Sequence, residues 1–244
     1  MHTFVEVFHW LTDPAHWTGS DGIPIRVLQH AEISLTAIVL AAAIAIPVGL
    51  YVGHTRKGAF LSVSIANLGR SIPSFAILSL VFILFLRVAP SIAFGFAPTV
   101  VALFLLAVPP ILTNTYVGVQ SVDPDIVEAA RGMGMSERDV LVDLELPLAA
   151  PLIMAGLRTA AVTVVATATL AALIAGGGLG RFIIDGFQTG DTTKIVAGAV
   201  LVALLSIITE VGFAGVERLV RPTTTSRARL GGGLEDASVE WTSA

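Results

Sequence analysis

Five stretches of this 244-residue chain are apolar over the length that a helix needs to cross a membrane. A helix rises 1.5 Å per residue, so about 20 apolar residues cover roughly 30 Å of hydrocarbon. The predicted spans are Ile33–Val52, Phe60–Leu86, Ala97–Val119, Pro151–Ala175 and Ile195–Val216. They leave room for short loops, one longer hydrophilic loop (residues 121–147) and two tails. We therefore predict an all-α membrane protein with about five transmembrane helices.

Composition excludes several other classes of protein. Only 13% of the residues are charged, against about 25% in a typical soluble domain. The net charge of −4 gives no electrostatic basis for binding nucleic acid. The absence of cysteine excludes a disulfide framework, a thiolate metal site and a cysteine nucleophile. No metal site is predicted either, because the histidines show no ligand spacing. They are His2, His9, His16, His30 and His54.

The distribution of basic residues predicts the orientation of the chain. With the loop after the first span in the cytoplasm, cytoplasmic segments hold eight Lys or Arg residues and outer segments hold four. The N-terminus is then outside and the C-terminus inside. We expect an extracytoplasmic segment over 1–32, a transmembrane domain over 33–221 and a flexible cytoplasmic tail over 222–244. Residues 1–26 lack the basic and apolar regions of a signal peptide, so the first span is expected to stay in the membrane.

Local rules predict two short helices in the 121–147 loop. Asp123 is a good N-cap and Pro124 suits the first helical position, so one helix should run to about Arg131. It should stop in the turn Gly132-Met-Gly134. Ser136 then caps a second helix, with Asp139 completing a pattern like a capping box. Pro147 marks the entry to the next span.

The same loop carries a motif. Glu128-Ala129-Ala130 is followed after three residues by Gly134, then after nine by Leu144, then by Leu146-Pro147. This resembles the EAA motif of the membrane subunits of binding-protein-dependent ABC importers, with Leu144 in place of the usual isoleucine. The family resemblance implies a MetI-like permease bundle in which this loop forms the coupling helix seated in a groove of the ATP-binding subunit. It implies that Glu128, Ala129, Ala130, Gly134, Leu144, Leu146 and Pro147 make this contact, with small side chains at Ala129, Ala130 and Gly134 allowing close approach.

Further stretches resemble the branch that imports glycine betaine, choline, carnitine and related quaternary amines. They are Pro110–Tyr116, Asp123-Pro124, Glu128–Met135, Glu145–Pro147, Ala168–Ile174 and Gly177–Gly180. The implied assembly lies in the bacterial inner membrane and contains two permease chains, identical or merely related, a pair of ATP-binding subunits and a separate extracytoplasmic receptor. Because the chain has no P-loop, it is expected to bind no cofactor and to leave ATP-Mg and its hydrolysis to the partner.

The residues that line a translocation path are less well defined by sequence. One candidate segment breaks the second span and contains Arg70, Ser71, Pro73 and Ser74, because an embedded arginine should face protein or water. The alternative is that Arg70 extends to the cytoplasmic interface. Further candidates for this path are Asn114, Tyr116 and Thr167. The alternative role of these polar residues is hydrogen bonding between helices. The few aromatic residues in the spans suggest that tight recognition of a quaternary amine belongs to the receptor.

Several features remain open from sequence alone. The segment Gly176–Gly180 is predicted to end the fourth span rather than to bind phosphate. Residues 186–194 are predicted as an outer loop, either contacting the receptor or merely solvated. Glu210 either pairs with a basic residue or lies at the interface. Alternative functions are a permease for an amino acid or another small solute, an ion-coupled transporter or channel, and a membrane-embedded enzyme. Neither of the last two explains the 121–147 loop.

Overall fold

The computed structural model describes residues 2–58, 60, 64, 69 and 71–220, and every regular element in these residues is helical. We number the helices in chain order. They are α1 (His2–Thr12), α2 (Ile23–Thr55), α3 (Ser74–Val88), α4 (Phe96–Gln120), α5 (Pro124–Gly132), α6 (Glu137–Ile174), α7 (Gly180–Thr189) and α8 (Thr192–Val220). Short 3-10 turns lie at Pro14–Trp17 and Pro90–Ile92.

Helices α2, α4 and α6 form the centre of the bundle, and their facing sides make its largest hydrophobic core. Glycine allows the helices to approach closely, as is common in membrane bundles. A Cβ atom added at Gly49 or Gly53 of α2 would lie 2.7 or 2.6 Å from the Cβ of Thr115 or Val119 of α4. A Cβ atom at Gly156 of α6 would lie 2.6 Å from that of Asn114. Helix α8 packs on α6, and α3 packs on α4.

The all-helical membrane fold is confirmed, and among the described residues four helices are long and apolar enough to cross a bilayer: α2, α4, α6 and α8. They coincide with four of the five predicted spans. The remaining predicted span, 60–86, lies partly outside the described residues, and its second part is the 15-residue helix α3. The predicted break is observed, because Pro73 stands immediately before α3. Arg70 and the predicted tail over 222–244 lie outside the described residues.

The prediction that the second short helix of the loop ends before the fourth span is wrong. It continues through α6 without a break, as α-helix over Glu137–Asp139, π-helix over Val140–Glu145, α-helix over Leu146–Thr167 and 3-10 helix over Ala168–Ile174. Pro147 has no N–H to donate to the carbonyl four residues earlier. It lies in the first turn after the π-helical segment, where a change of helical hydrogen bonding tolerates the missing donor.

At the opposite end of α6, the glycine-rich segment forms a tight turn, as predicted. A Cβ at Gly177 would lie 2.4 Å from the Gln29 side chain, and one at Gly180 would lie 2.1 Å from the Thr169 carbonyl oxygen. The buried His30 ring holds this turn: Nε2 contacts the Val165 carbonyl at 2.8 Å, and Leu179 N–H donates to Nδ1 at 3.3 Å. These partners require the neutral Nε2–H tautomer.

Helix α2 begins at Ile23, ten residues before the predicted span, so its first turns lie in the predicted segment 1–32. The expectation of a loop over 186–194 is wrong. Residues 186–194 are largely helical rather than a loop, because α7 runs to Thr189 and α8 starts at Thr192.

Aromatic rings connect α1 to α7. Trp10 of α1 stacks on His16 with ring centroids 3.9 Å apart and meets Phe182 of α7 edge-on.

Candidate functional site

The 121–147 loop folds as its capping residues predict. The Asp123 carboxylate accepts from Asp125 N–H at 2.9 Å at the start of α5. At the end of α5, Gly134 N–H and Met135 N–H donate to the carbonyls of Arg131 and Ala130, at 2.9 and 3.2 Å. This is a Schellman motif, and it requires the positive φ of +92° at Gly134 that favours glycine.

The second helix of the loop starts with the predicted capping box. Asp139 N–H donates to the Ser136 hydroxyl at 3.3 Å, and Ser136 N–H donates to the Asp139 carboxylate at 3.1 Å. Both bonds satisfy backbone donors that the first turn of a helix leaves free. The loop is therefore a defined structure rather than a simple connection.

A small hydrophobic core joins α5 to the start of α6. Its buried members are Val122, Val127, Ala130 and Val140, with Met135 and Leu144 packed against them. Ala130 is thus 4% exposed, so the expectation that both alanines form an open surface is wrong for Ala130. Leu146 packs in a neighbouring core with Val119 and Ala149. The motif residues Ala130, Leu144 and Leu146 therefore shape the loop from inside.

The outward side of α5 presents apolar side chains. Ile126, Ala129 and Met133 are exposed and lie three and four residues apart, which places them on one face of the helix. Met133 is 79% exposed, a high value for a large apolar side chain. Glu128 is exposed on another side of α5, and Pro147 is exposed in the first turn after the π-helical segment of α6. Sequence reasoning identified Glu128 and Ala129 but missed Ile126 and Met133, whose signal was their spacing from Ala129.

An ionic network attaches the loop to the end of α2. The ring of His54 lies between two carboxylates, with Nδ1 2.6 Å from Glu145 Oε2 and Nε2 3.1 Å from Glu137 Oε2. Arg131 donates to both oxygens of Glu137, from Nε and Nη2, each at 2.9 Å. This carboxylate raises the pKa of the Arg131 guanidinium, which therefore stays charged. We call Arg131, Glu137, His54 and Glu145 the junction network.

The two carboxylate contacts of His54 in the junction network differ in burial. The side chains of His54 and Glu145 are 12% and 6% exposed, whereas that of Glu137 is 61% exposed. A buried carboxylate needs a partner, and here the imidazole is that partner. Ionised carboxylates only accept hydrogen bonds, so a ring nitrogen of His54 that bonds to one of them is the donor. Sequence reasoning missed this network, since His54 and Glu145 are 91 residues apart.

A polar cavity of about 510 Å³ lies between the end of α2 and the loop. Its charged lining consists of His54, Arg56, Glu128, Arg131 and Glu145. Arg56 ends α2 in the left-handed conformation, with φ of +56°. The motif carboxylate of Glu128 therefore shares one cavity with Arg56 and with three residues of the junction network, His54, Arg131 and Glu145.

The predicted path residues that the structure describes, which exclude Arg70, do not meet in one cavity. Asn114 donates to the Pro110 carbonyl of its own helix at 2.8 Å and packs against Gly156, and Tyr116 is 9% exposed. Packing between helices therefore accounts for both residues. Ser74 and Thr167 line a void of only about 10 Å³ between α3, α4 and α6. Ser71 and Pro73 are exposed before α3.

Comparison with known proteins gives one consistent family. Residues 45–222 match the model of the binding-protein-dependent transport system inner membrane component. The chain is 36% identical over 208 residues to the carnitine transport permease protein OpuCB of Listeria monocytogenes, covering 85% of this chain and 92% of that protein. It is 38% identical over 204 residues to the choline transport system permease protein OpuBB of Bacillus subtilis, covering 84% and 91%.

Solved structures show the same fold. A chain of the MetNI methionine ABC transporter in an inward-facing conformation matches with a TM-score of 0.72 and 23% identity, over 86% of this chain and 99% of that chain. A chain of an amino acid ABC transporter matches with a TM-score of 0.63 and 18% identity, over 80% and 91%. Together with the match over 45–222, the apolar helices and the folded 121–147 loop place this chain in the family of binding-protein-dependent transport system inner membrane components.

Proposed function

We propose that this chain is the permease subunit of an ATP-driven importer for a small osmoprotectant of the quaternary amine class, such as glycine betaine, choline or carnitine. The relatives that support this substrate class include permeases named for carnitine, for choline and for glycine betaine, carnitine and choline together. The structural neighbours named for methionine and for an amino acid share the fold at 23% and 18% identity, so they do not argue for an amino acid substrate.

The observation that carries the proposal is the construction of the 121–147 loop. Helix α5 exposes an apolar face at Ile126, Ala129 and Met133, and on another side it exposes the carboxylate of Glu128. An exposed apolar face of this kind is typical of a surface that binds another protein. The partner in our proposal is one of a pair of ATP-binding subunits, which hold and hydrolyse ATP-Mg.

The junction network connects α5, which carries the exposed apolar face, to the membrane helices. Glu145 belongs to α6, His54 to the end of α2, and Arg131 to α5. A movement imposed on α5 by closure of the ATP-binding subunits would therefore reach both α2 and α6. In this assembly a separate receptor delivers the solute to the outer side, and a second permease chain, identical or related, completes the passage.

The orientation of the chain follows from the proposal. The 121–147 loop meets the ATP-binding subunits in the cytoplasm, so the segment before the first span lies outside and the segment after 221 lies in the cytoplasm. A cysteine introduced at Met133 should then react with an impermeant thiol reagent only in inverted vesicles. Reaction in right-side-out cells would contradict this orientation.

Transport by the reconstituted complex tests the function. The chain is purified with its ATP-binding subunits and receptor, placed in proteoliposomes, and assayed for uptake of labelled choline, carnitine, glycine betaine and methionine. We expect uptake of at least one quaternary amine that requires ATP and is unaffected by dissipating ion gradients. Uptake of methionine alone would refute the substrate class. Uptake driven by an ion gradient without the ATP-binding subunits would refute the importer mechanism.

A further inference from the structure

Three charged side chains meet between α6 and α8. Arg158 Nη1 lies 3.3 Å from Glu217 Oε2, and Arg158 Nε lies 3.6 Å from Glu210 Oε1. The side chains of Arg158, Glu210 and Glu217 are 32%, 49% and 9% exposed. We call these three residues the charged cluster. Sequence reasoning left open whether Glu210 pairs with a basic residue, and the structure places it beside Arg158.

The charged cluster lies beside the main hydrophobic core. Arg158 follows Glu145 by 13 residues, about 20 Å of helix from the end of the bundle that carries the junction network. Its α6 neighbours Leu157 and Ala160 belong to the main hydrophobic core, and Phe213, between the two glutamates on α8, packs against the same core. Glu210 lies inside the predicted fifth span and Glu217 one residue beyond it. An ionised side chain inside a span is costly against lipid, so we expect the exposed side of Glu210 to face protein or water.

The surface of α6 beside the charged cluster is also unlike a lipid-facing surface. Its exposed residues include Thr159, Thr163 and Ala166, which are small and partly polar. The two threonine hydroxyls donate to carbonyls four residues earlier, at 2.9 and 2.8 Å. Their oxygens remain able to accept hydrogen bonds from water.

The outward surface of α8 contrasts with that of α6, because it carries long branched apolar side chains. Leu204, Ile207, Ile208 and Val211 are between 50% and 66% exposed. Such a surface suits lipid tails, which satisfy no hydrogen bonds. The exposed face of α6 is therefore suited to water, and that of α8 is suited to lipid.

We propose that the α6 face with Thr159 and Thr163, together with the charged cluster, lines a water-filled passage, and that Glu210 attracts the quaternary ammonium group of a passing solute. This rests on the proposed function. Two carboxylates share one guanidinium, so with both ionised the charged cluster carries one net negative charge. Clefts with charge of one sign raise the local concentration of the opposite ion. A trimethylammonium group has no N–H to donate, so its attraction to Glu210 is Coulombic and weak enough to permit release.

Thiol labelling tests the passage directly. Because the chain has no cysteine, single-cysteine variants need no other change. We compare Thr163→Cys with Ile208→Cys, the control on the apolar side of α8, in the assembled complex in native membranes. The probes are two methanethiosulfonates of similar size, one bearing a trimethylammonium group and one a sulfonate. We expect Thr163→Cys to react with the cationic probe at least about tenfold faster than the control does.

A charge-neutralising variant tests the role of Glu210. In the Thr163→Cys background, Glu210→Gln should lower the ratio of cationic to anionic labelling rates by about tenfold, and Glu210→Asp should preserve the ratio. Equal labelling of Thr163→Cys and Ile208→Cys would overturn the passage. An unchanged ratio in Glu210→Gln, with the complex still assembled, would overturn the role of Glu210. Labelling needs neither ATP nor a known solute, so a failed uptake assay and a failed labelling assay remain distinguishable.

Discussion

The junction network yields a quantitative prediction for His54→Ala. The substitution removes the imidazole that contacts Glu145, whose side chain is 6% exposed. Removal of one partner from a buried ion pair costs about 3–5 kcal/mol. Glu145 also lines the open cavity beside α2, where water can replace part of the lost contact. We therefore expect a loss of about 2–3 kcal/mol, the range for hydrogen bonds to charged groups.

Thermal unfolding of the purified complex in detergent measures this loss. For a chain of this size, a loss of about 2–3 kcal/mol corresponds to a decrease in Tm of about 5–10 °C. The double variant His54→Ala with Glu145→Gln should recover part of the decrease, because a neutral amide is cheaper to bury than an unpaired carboxylate. His9→Ala is the matched control, since His9 is exposed in α1 and contacts no buried carboxylate among the described residues.

Uptake coupled to ATP hydrolysis provides a second measurement for the same variants. In His54→Ala the loop loses its attachment to α2, so ATP hydrolysis should continue while uptake per ATP falls. Glu137→Gln should change Tm little, because Glu137 is mostly exposed. The reasoning is refuted if His54→Ala leaves Tm unchanged, or if the double variant is as unstable as His54→Ala alone.

Three further predictions concern the loop and the bundle. Gly134→Ala should lower Tm of the complex through backbone strain worth about 1–2 kcal/mol, because φ is +92° and nothing lies within 4 Å of the added methyl group. A Gly134→Asn variant that is no more stable than Gly134→Ala would contradict this cause. Met133→Asp should weaken binding of the ATP-binding subunit at least about tenfold in a pull-down titration, with Tm of the isolated chain unchanged. Gly156→Val should prevent folding of the chain, seen as aggregation in size-exclusion chromatography, because its Cβ would overlap Asn114.

Local signals were sufficient to predict the helices of the loop. Asp123 and Ser136 cap helices through bonds to residues two and three positions away, and Gly134 ends α5 within the same turn. These interactions depend on short sequence spacing alone, which is why they could be read before the structure. The apolar spans were predictable for the same reason, since length and composition determine whether a helix can cross a bilayer.

Long-range contacts explain the boundaries that were missed. Charged and polar residues at the start of α2 suggested a later beginning for the first span. In the structure His30 is buried because Val165 and Leu179, far away in sequence, satisfy both ring nitrogens. Hydropathy along the chain contains no information about such partners.

The candidate site combines a local part with a non-local part. The motif with Glu128 and Ala129 was visible in the sequence, because its spacing lies within one loop. The junction network was not visible, because its buried pair joins α2 to α6 across the bundle. Proximity of this kind arises only when α2 packs beside the base of α6, which is a property of the tertiary fold.

The continuity of α6 links the two parts of the molecule for which roles are proposed. One helix contains Glu145 of the junction network and Arg158 of the charged cluster, and its only change of helical type between them directly follows Glu145. Beyond this point 22 residues form one α-helix that contains Pro151 in its interior, so the backbone stays helical from Glu145 to Arg158. We expect a displacement of α5 that tilts the base of α6 to move Arg158 relative to α8, with Pro151 as the position where the helix can bend. The face that we propose to line the passage is thereby connected directly to the loop that we propose to bind the ATP-binding subunit.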